Sequence, residues 1–215
     1  MEISAGQVKE LRDRTGAGML ACKSALQEAE GRLEEAVVIL RKQGLAAAAK
    51  KVGRATAEGA VGSYIHAGGR IGVLVEVNCE TDFVAKTDEF QVLVRDVAMH
   101  VAASSPLFVS RQNVDTETLA REERIAREQA QATGKPQKVL EKIVAGKLER
   151  FYQEVCLLEQ PFVKDPDRSV QEIIHAAVAK TGENIQIRRF IRFGLGESLD
   201  SVPAQGTRPP GVSAG

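Results

Sequence analysis

Residues 71–86 read IGVLVEVNCETDFVAK, and this stretch decides the fold. Its first half alternates strictly, with apolar side chains at Ile71, Val73, Val75, Val77 and Cys79, which is the period of a β-strand with one buried face. From Thr81 the period changes to that of a helix, through Phe83, Phe90, Val94, Val97 and Val101, with Thr87 as the polar exception. The stretch therefore predicts a strand followed by one long helix that ends near Pro106.

Two further strands are predicted on either side of this junction. Gly68-Gly69 separates Tyr64-Ile65-His66 from the alternating run, which indicates a β-hairpin. Near the C-terminal end, apolar residues alternate again at Ile185, Ile187, Ile191 and Phe193. The core is therefore predicted to be α+β, with a small antiparallel sheet of about three strands flanked by helices.

The N-terminal residues predict a separate helical unit. Ser4 can cap a first helix, Thr15–Gly18 interrupts the helical pattern, and Gly44 is expected to close a third helix. The predicted domains are a three-helix domain at 1–44, a basic helical linker at 45–58, an α+β core at 59–197 and a disordered tail at 198–215. The tail is expected to be disordered because it consists largely of Pro, Gly, Ser and Thr with almost no core-forming residue.

Three more helices are predicted within the core, and the last of them opens with a capping box at 169–172 and stops at Gly182. Residues 115–133 are dense in charge and predict a solvated helix that ends at Gly134. After Pro136, an amphipathic stripe predicts a second helix, with apolar residues at Leu140, Ile143, Val144, Leu148, Phe151 and Val155.

Composition argues against several classes of partner. Lys plus Arg equals Asp plus Glu, at 29 each, so the chain lacks the surplus positive charge that nonspecific nucleic-acid binding needs. No stretch approaches the roughly 20 apolar residues of a membrane span, and no signal peptide is visible at the start. Three widely spaced cysteines fit small buried thiols in a reducing cytoplasm. We expect a cytoplasmic protein without nucleic-acid or membrane partners.

Candidate nucleotide and metal motifs fail in context. Residues 16–21 (GAGMLA) match a dinucleotide-binding fingerprint, but that fingerprint must follow a strand and here it follows a predicted helix. Lys23-Ser24 lacks the glycines of a phosphate-binding loop. None of His66, His100 and His175 has a metal-ligand partner at i+3 or i+4, and no C-x-x-C pair exists. The sequence predicts no metal and no cofactor.

A catalytic reading of Cys79-Glu80-Thr81-Asp82 is also weak. The two carboxylates beside Cys79 suggest acid, base and nucleophile, but no histidine is nearby in sequence to serve as a base. The plainer interpretation is that Thr81 or Asp82 caps the following helix. We expect that the protein is not an enzyme.

Several motifs resemble those of one known family. Residues 8–12 (VKELR), 15–19 (TGAGM) and 22–26 (CKSAL) resemble the N-terminal signature of elongation factor Ts proteins, and residues 76–86 (EVNCETDFVAK) resemble their second signature. Residues 134–136 (GKP), 146–147 (GK), 160–163 (QPFV) and 191–193 (IRF) are similar to their C-terminal half. The resemblance spans about residues 2–197, with the motifs in the family's order.

The resemblance implies a function, a partner and a set of contact residues. Members of the family bind elongation factor Tu, in its GDP-bound and nucleotide-free forms, and promote GDP release by disturbing its Mg²⁺ and phosphate site. The family's three-helix domain is similar to ubiquitin-associated domains and docks on the GTPase. By motif match, the nucleotide-release residues here are Thr81, Asp82, Phe83 and Val84, and the docking residues are Arg12, Met19 and Leu20.

One departure from the family's long form bears on assembly. Many members carry a duplicated core with a coiled-coil insertion, whereas this chain resembles the short form with a single core copy. A small sheet leaves its apolar face and edges wet unless something covers them. Pairing of two chains about a two-fold axis would cover them, so we expect a homodimer.

Phe83 is the residue for which helical period and family resemblance disagree. It shares the phase of Phe90 and Val94, which favours burial, but it lies in the first turn and the next position in phase is the polar Thr87. We predict that Phe83 is exposed. Two alternative functions remain: a generic adaptor that uses the helical unit to bind a peptide or ubiquitin-like partner, and an enzyme that uses Cys79.

Overall fold

The computed structural model describes residues 3–197, and the α+β class is confirmed there. The helices are α1 (Ala5–Thr15), α2 (Met19–Glu28), α3 (Leu33–Ala49), α4 (Asp82–Ala85), α5 (Asp88–Ser104), α6 (Thr116–Gln131), α7 (Gln137–Val155) and α8 (Val170–Thr181). The strands are β1 (Glu58–Ile65), β2 (Ile71–Cys79), β3 (Pro161–Phe162), β4 (Asp165–Ser169) and β5 (Gln186–Gly194). The predicted tail at 198–215 lies outside the described residues.

The chain divides into two compact units that differ from a simple N-terminal and C-terminal pair. The first comprises Met1–Val61, Val77–Val94 and Gln171–Gln186, and the second comprises Gly62–Glu76, Arg95–Val170 and Ile187–Gly215. Helices α1–α3 thus share a unit with α4 and α8. Whether residues 1–44 also fold independently stays a prediction.

The three predicted N-terminal helices are present, and local sequence signals mark the ends of the first. The Ser4 side chain accepts a hydrogen bond from the Gln7 backbone N–H, and the Gln7 side chain accepts one from the Ser4 N–H, which makes a capping box. Gly16 ends α1 in the left-handed conformation, at φ 68°. The helices enclose a small core of Val8, Leu11, Cys22, Ala25, Leu26, Ala29 and Ala36.

Helix α3 is longer than predicted, because Gly44 does not end it. The helix continues to Ala49, through a run of alanines that are the strongest helix formers. Gly44 serves packing instead, since a Cβ there would lie 3.6 Å from the Cβ of Ala179 in α8. An ion pair between Arg41 and Glu172 joins the same two helices. The predicted helical linker at 45–58 is therefore helical only at its start, and turns follow at 50–53.

The main sheet has the strand order β1-β2-β5. The β1–β2 hairpin turns at Gly68 and Gly69, both at positive φ, and the His66 N–H donates to the Ile71 carbonyl at 2.9 Å. The alternating face of β2 is buried as predicted at Val73, Val75, Val77 and Cys79, while Leu74 on the other face is 48% exposed.

Strand β5 forms, and its predicted alternation holds at Ile185 and Ile187, which are both buried, but fails after Ile187. Ile187 and Phe190 are buried, whereas Phe193 is half-exposed. Arg188 and Arg189 are both exposed between the two buried residues, so the strict period of two is interrupted there. Two consecutive charged residues cannot alternate into an apolar core.

The predicted long helix is in fact two helices. Helix α4 ends at Ala85 and α5 begins at Asp88. Thr87 explains the break, because its Oγ1 accepts from the Phe90 N–H at 3.3 Å and donates to the Val84 carbonyl at 2.8 Å. The polar exception in the stripe is thus the start signal of a second helix.

Within the second unit, α6 and α7 form a helical hairpin. Asp115 caps α6 by accepting from the Thr118 N–H at 2.7 Å, and Ala126 and Ala130 are buried. No residue of α7 is buried, so its predicted apolar stripe is only partly covered by the described residues. The two-residue strand β3 pairs with β4, and this ribbon was missed because Pro161 and the charged residues of β4 do not read as strand.

His100 is a fully buried histidine with a defined tautomer. Its Nδ1 accepts from the Val163 backbone N–H at 3.2 Å, so Nδ1 carries no proton. Nε2 then carries the proton and donates to the Gln160 side-chain oxygen at 3.0 Å. Burial lowers the pKa of His100, because a second proton would charge it in the core and displace the Val163 contact.

We expect His100 to make the fold sensitive to acid. Its folded pKa lies below its unfolded pKa of about 6.5, so its contribution to stability is present above that pH and is lost as the pH falls below it. Urea unfolding between pH 7 and pH 5 measures the effect. His100→Asn keeps an acceptor but does not titrate, so the free energy of unfolding should fall less steeply in this variant than in the parent. Burial also lowers the pKa of His175, so the comparison is repeated in a His175→Asn background. Equal slopes for parent and variant would contradict the assignment.

Candidate partner-binding site

The junction between β2 and α4 presents one large apolar side chain to solvent. Thr81 is the N-cap of α4, where its Oγ1 accepts from the Val84 N–H at 3.4 Å. Val84 and Ala85 are buried at the back of this short helix, whereas Phe83 is 78% exposed. The predicted exposure of Phe83 is confirmed. Val84 is 6% exposed and packs α4 against the core, and its role as a contact residue stays a prediction.

Asp82 lies beside Phe83 and is ionised at neutral pH. The Lys86 Nζ lies 2.6 Å from Asp82 Oδ2, and this hydrogen bond lowers the pKa of the Asp82 carboxyl and raises the pKa of Lys86. Both side chains are exposed, so the pair contributes little to stability. Asp82 is thus a charged group that a partner can engage, and Thr81 rather than Asp82 is the helix cap.

The Thr81 position is also held from a distant part of the chain. The Glu183 carboxylate accepts hydrogen bonds from the backbone N–H groups of Glu80 and Thr81 and from the Thr81 hydroxyl. Glu183 follows α8 and lies 102 residues from Thr81, so no local sequence signal could have identified it.

The predicted docking residues surround the loop between α1 and α2. Arg12 is exposed in the last turn of α1, and Met19 and Leu20 are 52% and 86% exposed in the first turn of α2. Further along α2, Cys22 and Leu26 are fully buried. Two exposed large apolar residues in succession on a well-packed helix are a candidate contact surface.

The structure places both predicted segments beside the C-terminal end of α8. The Lys180 side chain lies 3.9 Å from the position that a Cβ would take on Gly16, in the loop that precedes Met19. Lys180 also pairs with Glu89 of α5 at 2.5 Å. Three residues further on, Glu183 contacts Thr81. One helix end therefore supports the loop of the docking residues and the cap of α4.

Cys79 is placed as a core thiol. Its side chain is fully buried, and its Sγ donates to the Thr81 carbonyl at 3.2 Å. Burial raises the pKa of the Cys79 thiol, and the negative charge of Glu183 adds to the effect. A buried neutral thiol is a poor nucleophile, which weighs against an enzyme that uses Cys79.

Residues 3–197 contain neither a metal-binding cluster nor a membrane-spanning helix. Among residues 3–197, no group of three or more His, Cys, Asp or Glu side chains is arranged to hold a metal ion. None of the helices in that range is both long and apolar enough to cross a membrane. The segment before Gly16 is helix α1, so the dinucleotide fingerprint at 16–21 lacks the strand that it requires.

Comparison with known proteins identifies the family. The family model described as Elongation factor TS matches residues 3–197. An elongation factor Ts of Geobacter sulfurreducens is 56% identical over 215 residues, which is 100% of both chains. One of Moorella thermoacetica is 60% identical over 197 residues, covering 92% of this chain and 97% of the relative. The match runs through α1, the β2–α4 junction and α8, and the chain belongs to the elongation factor Ts family of translation elongation factors.

Proposed function

We propose that this protein is a guanine nucleotide exchange factor for elongation factor Tu. It binds the GDP-bound GTPase and promotes GDP release by disturbing the Mg²⁺ and phosphate site. The observation that carries the proposal is Phe83, a large aromatic side chain 78% exposed on a helix whose opposite face is buried. Aromatic side chains presented in this way are typical of residues that dominate binding energy at interfaces.

The energetics of exchange need binding rather than bond chemistry. GDP held at nanomolar affinity corresponds to roughly 12 kcal/mol, and each loss of about 1.4 kcal/mol weakens that affinity tenfold. A factor that binds the nucleotide-free GTPase more tightly than the GDP complex lowers GDP affinity by that difference. Exposed Phe83 and ionised Asp82 would supply such binding. We therefore propose a non-enzymatic factor that needs no cofactor and acts in the reducing cytoplasm, where three buried free thiols are stable.

The test is GDP release from purified elongation factor Tu loaded with a fluorescent GDP analogue. We expect the protein to accelerate release strongly at substoichiometric concentration, and an unchanged rate would refute the proposal. The adaptor alternative makes a different prediction, because an adaptor would bind elongation factor Tu without accelerating release. A binding measurement in the same samples therefore separates the two.

We also propose that the protein is a homodimer through the outward face of its main sheet. Within the second unit, Ile65, Leu74 and Phe193 are 67%, 48% and 51% exposed. The Ile65 side chain covers Gly72, since a Cβ there would lie 3.1 Å from Ile65 Cδ1. An exposed apolar sheet face is typical of an interface, and a second copy offers a self-complementary match.

Light scattering after size-exclusion chromatography tests the dimer. The parent at micromolar concentration should have twice the 23.2 kDa mass of one chain. Leu74→Asp should be monomeric, because it would bury a carboxylate in the interface. Val38→Asp, a change at an exposed valine of α3, serves as the control and should stay dimeric. A monomeric parent would rule out the proposal.

A further inference from the structure

We propose that Glu183 is a positioning residue for nucleotide release: it holds Thr81, and through Thr81 it sets the direction in which Phe83 projects. The inference rests on the proposed exchange function. It adds a residue that acts on the release motif through its contact with Thr81 and not through contact with the partner. It is carried by three hydrogen bonds that one carboxylate accepts from two consecutive residues.

Those hydrogen bonds use both oxygens of Glu183. Oε2 accepts from the backbone N–H groups of Glu80 and Thr81, both at 3.1 Å. Oε1 accepts from the Thr81 hydroxyl at 2.6 Å. Hydrogen bonds to an ionised carboxylate are about twice as strong as those between neutral groups. Two N–H groups and one hydroxyl therefore point at a single charged side chain.

The Thr81 hydroxyl links Glu183 to α4. Because Oγ1 gives its proton to Glu183, its lone pairs are free to accept from the Val84 N–H at 3.4 Å, which is the capping contact. The Thr81 carbonyl is held separately, by the Cys79 thiol at 3.2 Å. Thr81, the N-cap of α4, is thus constrained through its N–H, its carbonyl and its side chain.

Helix α4 depends on such external constraints. It has only four residues. A helix this short is unstable by itself, because ordering the first turn costs more free energy than its hydrogen bonds recover. Its first turn carries Asp82 and Phe83 on the exposed side, while Val84 and Ala85 hold the other side. If Thr81 were not held in place, the Phe83 side chain would sample many directions, although Val84 and Ala85 would stay packed against the core.

A second carboxylate makes the contact reciprocal. The Asn184 backbone N–H donates to Glu80 Oε1 at 2.6 Å, and the Asn184 side-chain amide donates to the Arg54 carbonyl at 3.0 Å. Each of the two segments therefore provides a side-chain carboxylate that accepts from backbone N–H groups of the other. Glu183 accepts from Glu80 and Thr81, and Glu80 accepts from Asn184. This arrangement fixes the register between the end of β2 and the segment after α8.

The expected consequence is a loss of turnover without a loss of docking. Met19 and Leu20 lie on α2 and have no hydrogen bond to Glu183, so the initial complex should form as before. Phe83 would reach the partner in the wrong direction, and a misplacement of about 1 Å can cost a hundredfold in a rate. For Glu183→Ala we expect kcat for GDP release to fall about tenfold, with KM for the GDP-bound GTPase changed less than about twofold.

Three variants separate positioning from general stability. Glu183→Gln can still accept from the two N–H groups and can donate to the Thr81 hydroxyl, so it should restore kcat to within about threefold of the parent. Glu172→Ala removes a carboxylate in the first turn of α8, one that pairs with Arg41, and should leave kcat unchanged. Should Glu183→Ala fail to fold, Glu183→Asp withdraws the carboxylate by one carbon and should lower kcat in the same selective way.

Combination with Phe83→Ala tests the proposed route. If Glu183 acts through Phe83, adding Glu183→Ala to Phe83→Ala should reduce kcat by less than about twofold further, because the two residues serve one function. An equal reduction in both backgrounds, or a kcat unchanged by Glu183→Ala and Glu183→Asp, would overturn the proposal.

Hydrogen exchange in the free protein gives a readout that needs no partner. Loss of the Glu183 carboxylate should speed amide exchange at residues 80–84 selectively, whereas the Glu172→Ala control should not. Unchanged exchange at residues 80–84 in Glu183→Ala would overturn the positioning role. Failure of the exchange function is a separate result, because the parent itself would then not accelerate GDP release.

Discussion

Phe83→Ala is expected to slow GDP release at least several-fold while the melting temperature stays within a few degrees of the parent. The side chain is 78% exposed, so its truncation leaves no cavity in the core. Truncation of a buried Phe costs about 3–5 kcal/mol of stability, whereas truncation of an exposed interface residue costs about 2 kcal/mol or more of binding and little stability. Stopped-flow GDP release and thermal unfolding together distinguish these outcomes.

The control for Phe83 is Val52→Ala, a change at a residue that is 75% exposed and lies outside the proposed contact surfaces. It should alter neither release nor melting temperature. A normal release rate for folded Phe83→Ala would move the contact elsewhere on the molecule. Asp82→Ala should also slow release with little loss of stability, because Thr81 and not Asp82 provides the cap.

Gly59→Ala should have the largest effect on folding, with a loss of about 3–5 kcal/mol of unfolding free energy. A Cβ at this position would lie 2.2 Å from the Val77 carbonyl oxygen and 2.7 Å from the Asn78 Cα. These are backbone atoms of the adjacent strand, so they cannot rotate away. The backbone also has φ 147°, a conformation that residues with a side chain rarely adopt.

Gly68→Ala is the matched control for this prediction. Gly68 has φ 88°, but no atom lies within 4 Å of an added Cβ, so only the conformational strain applies. Its cost should be about 1 kcal/mol. Chemical denaturation of both variants therefore separates steric conflict from backbone strain. If both lost the same small amount, the close approach of β1 to β2 at Gly59 would be refuted.

The elements that sequence predicted well depend on neighbouring residues. The Ser4 cap, the interruption at Thr15–Gly18 and the cap before α4 each involve residues within four positions of one another. The alternation from Val73 to Cys79 was equally decisive, because these alternate side chains of β2 are all buried on one face. Local hydrogen bonds and side-chain period depend only on nearby residues, so they can be predicted from the sequence.

The errors occurred where one residue can serve two structures. Thr87 reads as a polar gap in a long helix, but its hydroxyl starts α5. Gly44 reads as a helix stop, but it lets α3 approach Ala179 closely. In both cases a contact made by the folded chain outweighed the usual positional preference. The predicted alternation of β5 failed only after Ile187, because Arg188 and Arg189 are both exposed to solvent.

By itself, the sequence determined most of the helices, the three strands of the main sheet, the α+β class and the candidate contact residues, because period, caps and family motifs are properties of short stretches. Only the tertiary structure decided that Phe83 is exposed while Val84 is buried, since this depends on which side of α4 meets the core. It also decided that Glu183 supports Thr81. A hydrogen bond between residues 102 positions apart produces no periodic pattern in the sequence. It forms only after folding has brought the end of β2 and the segment after α8 together.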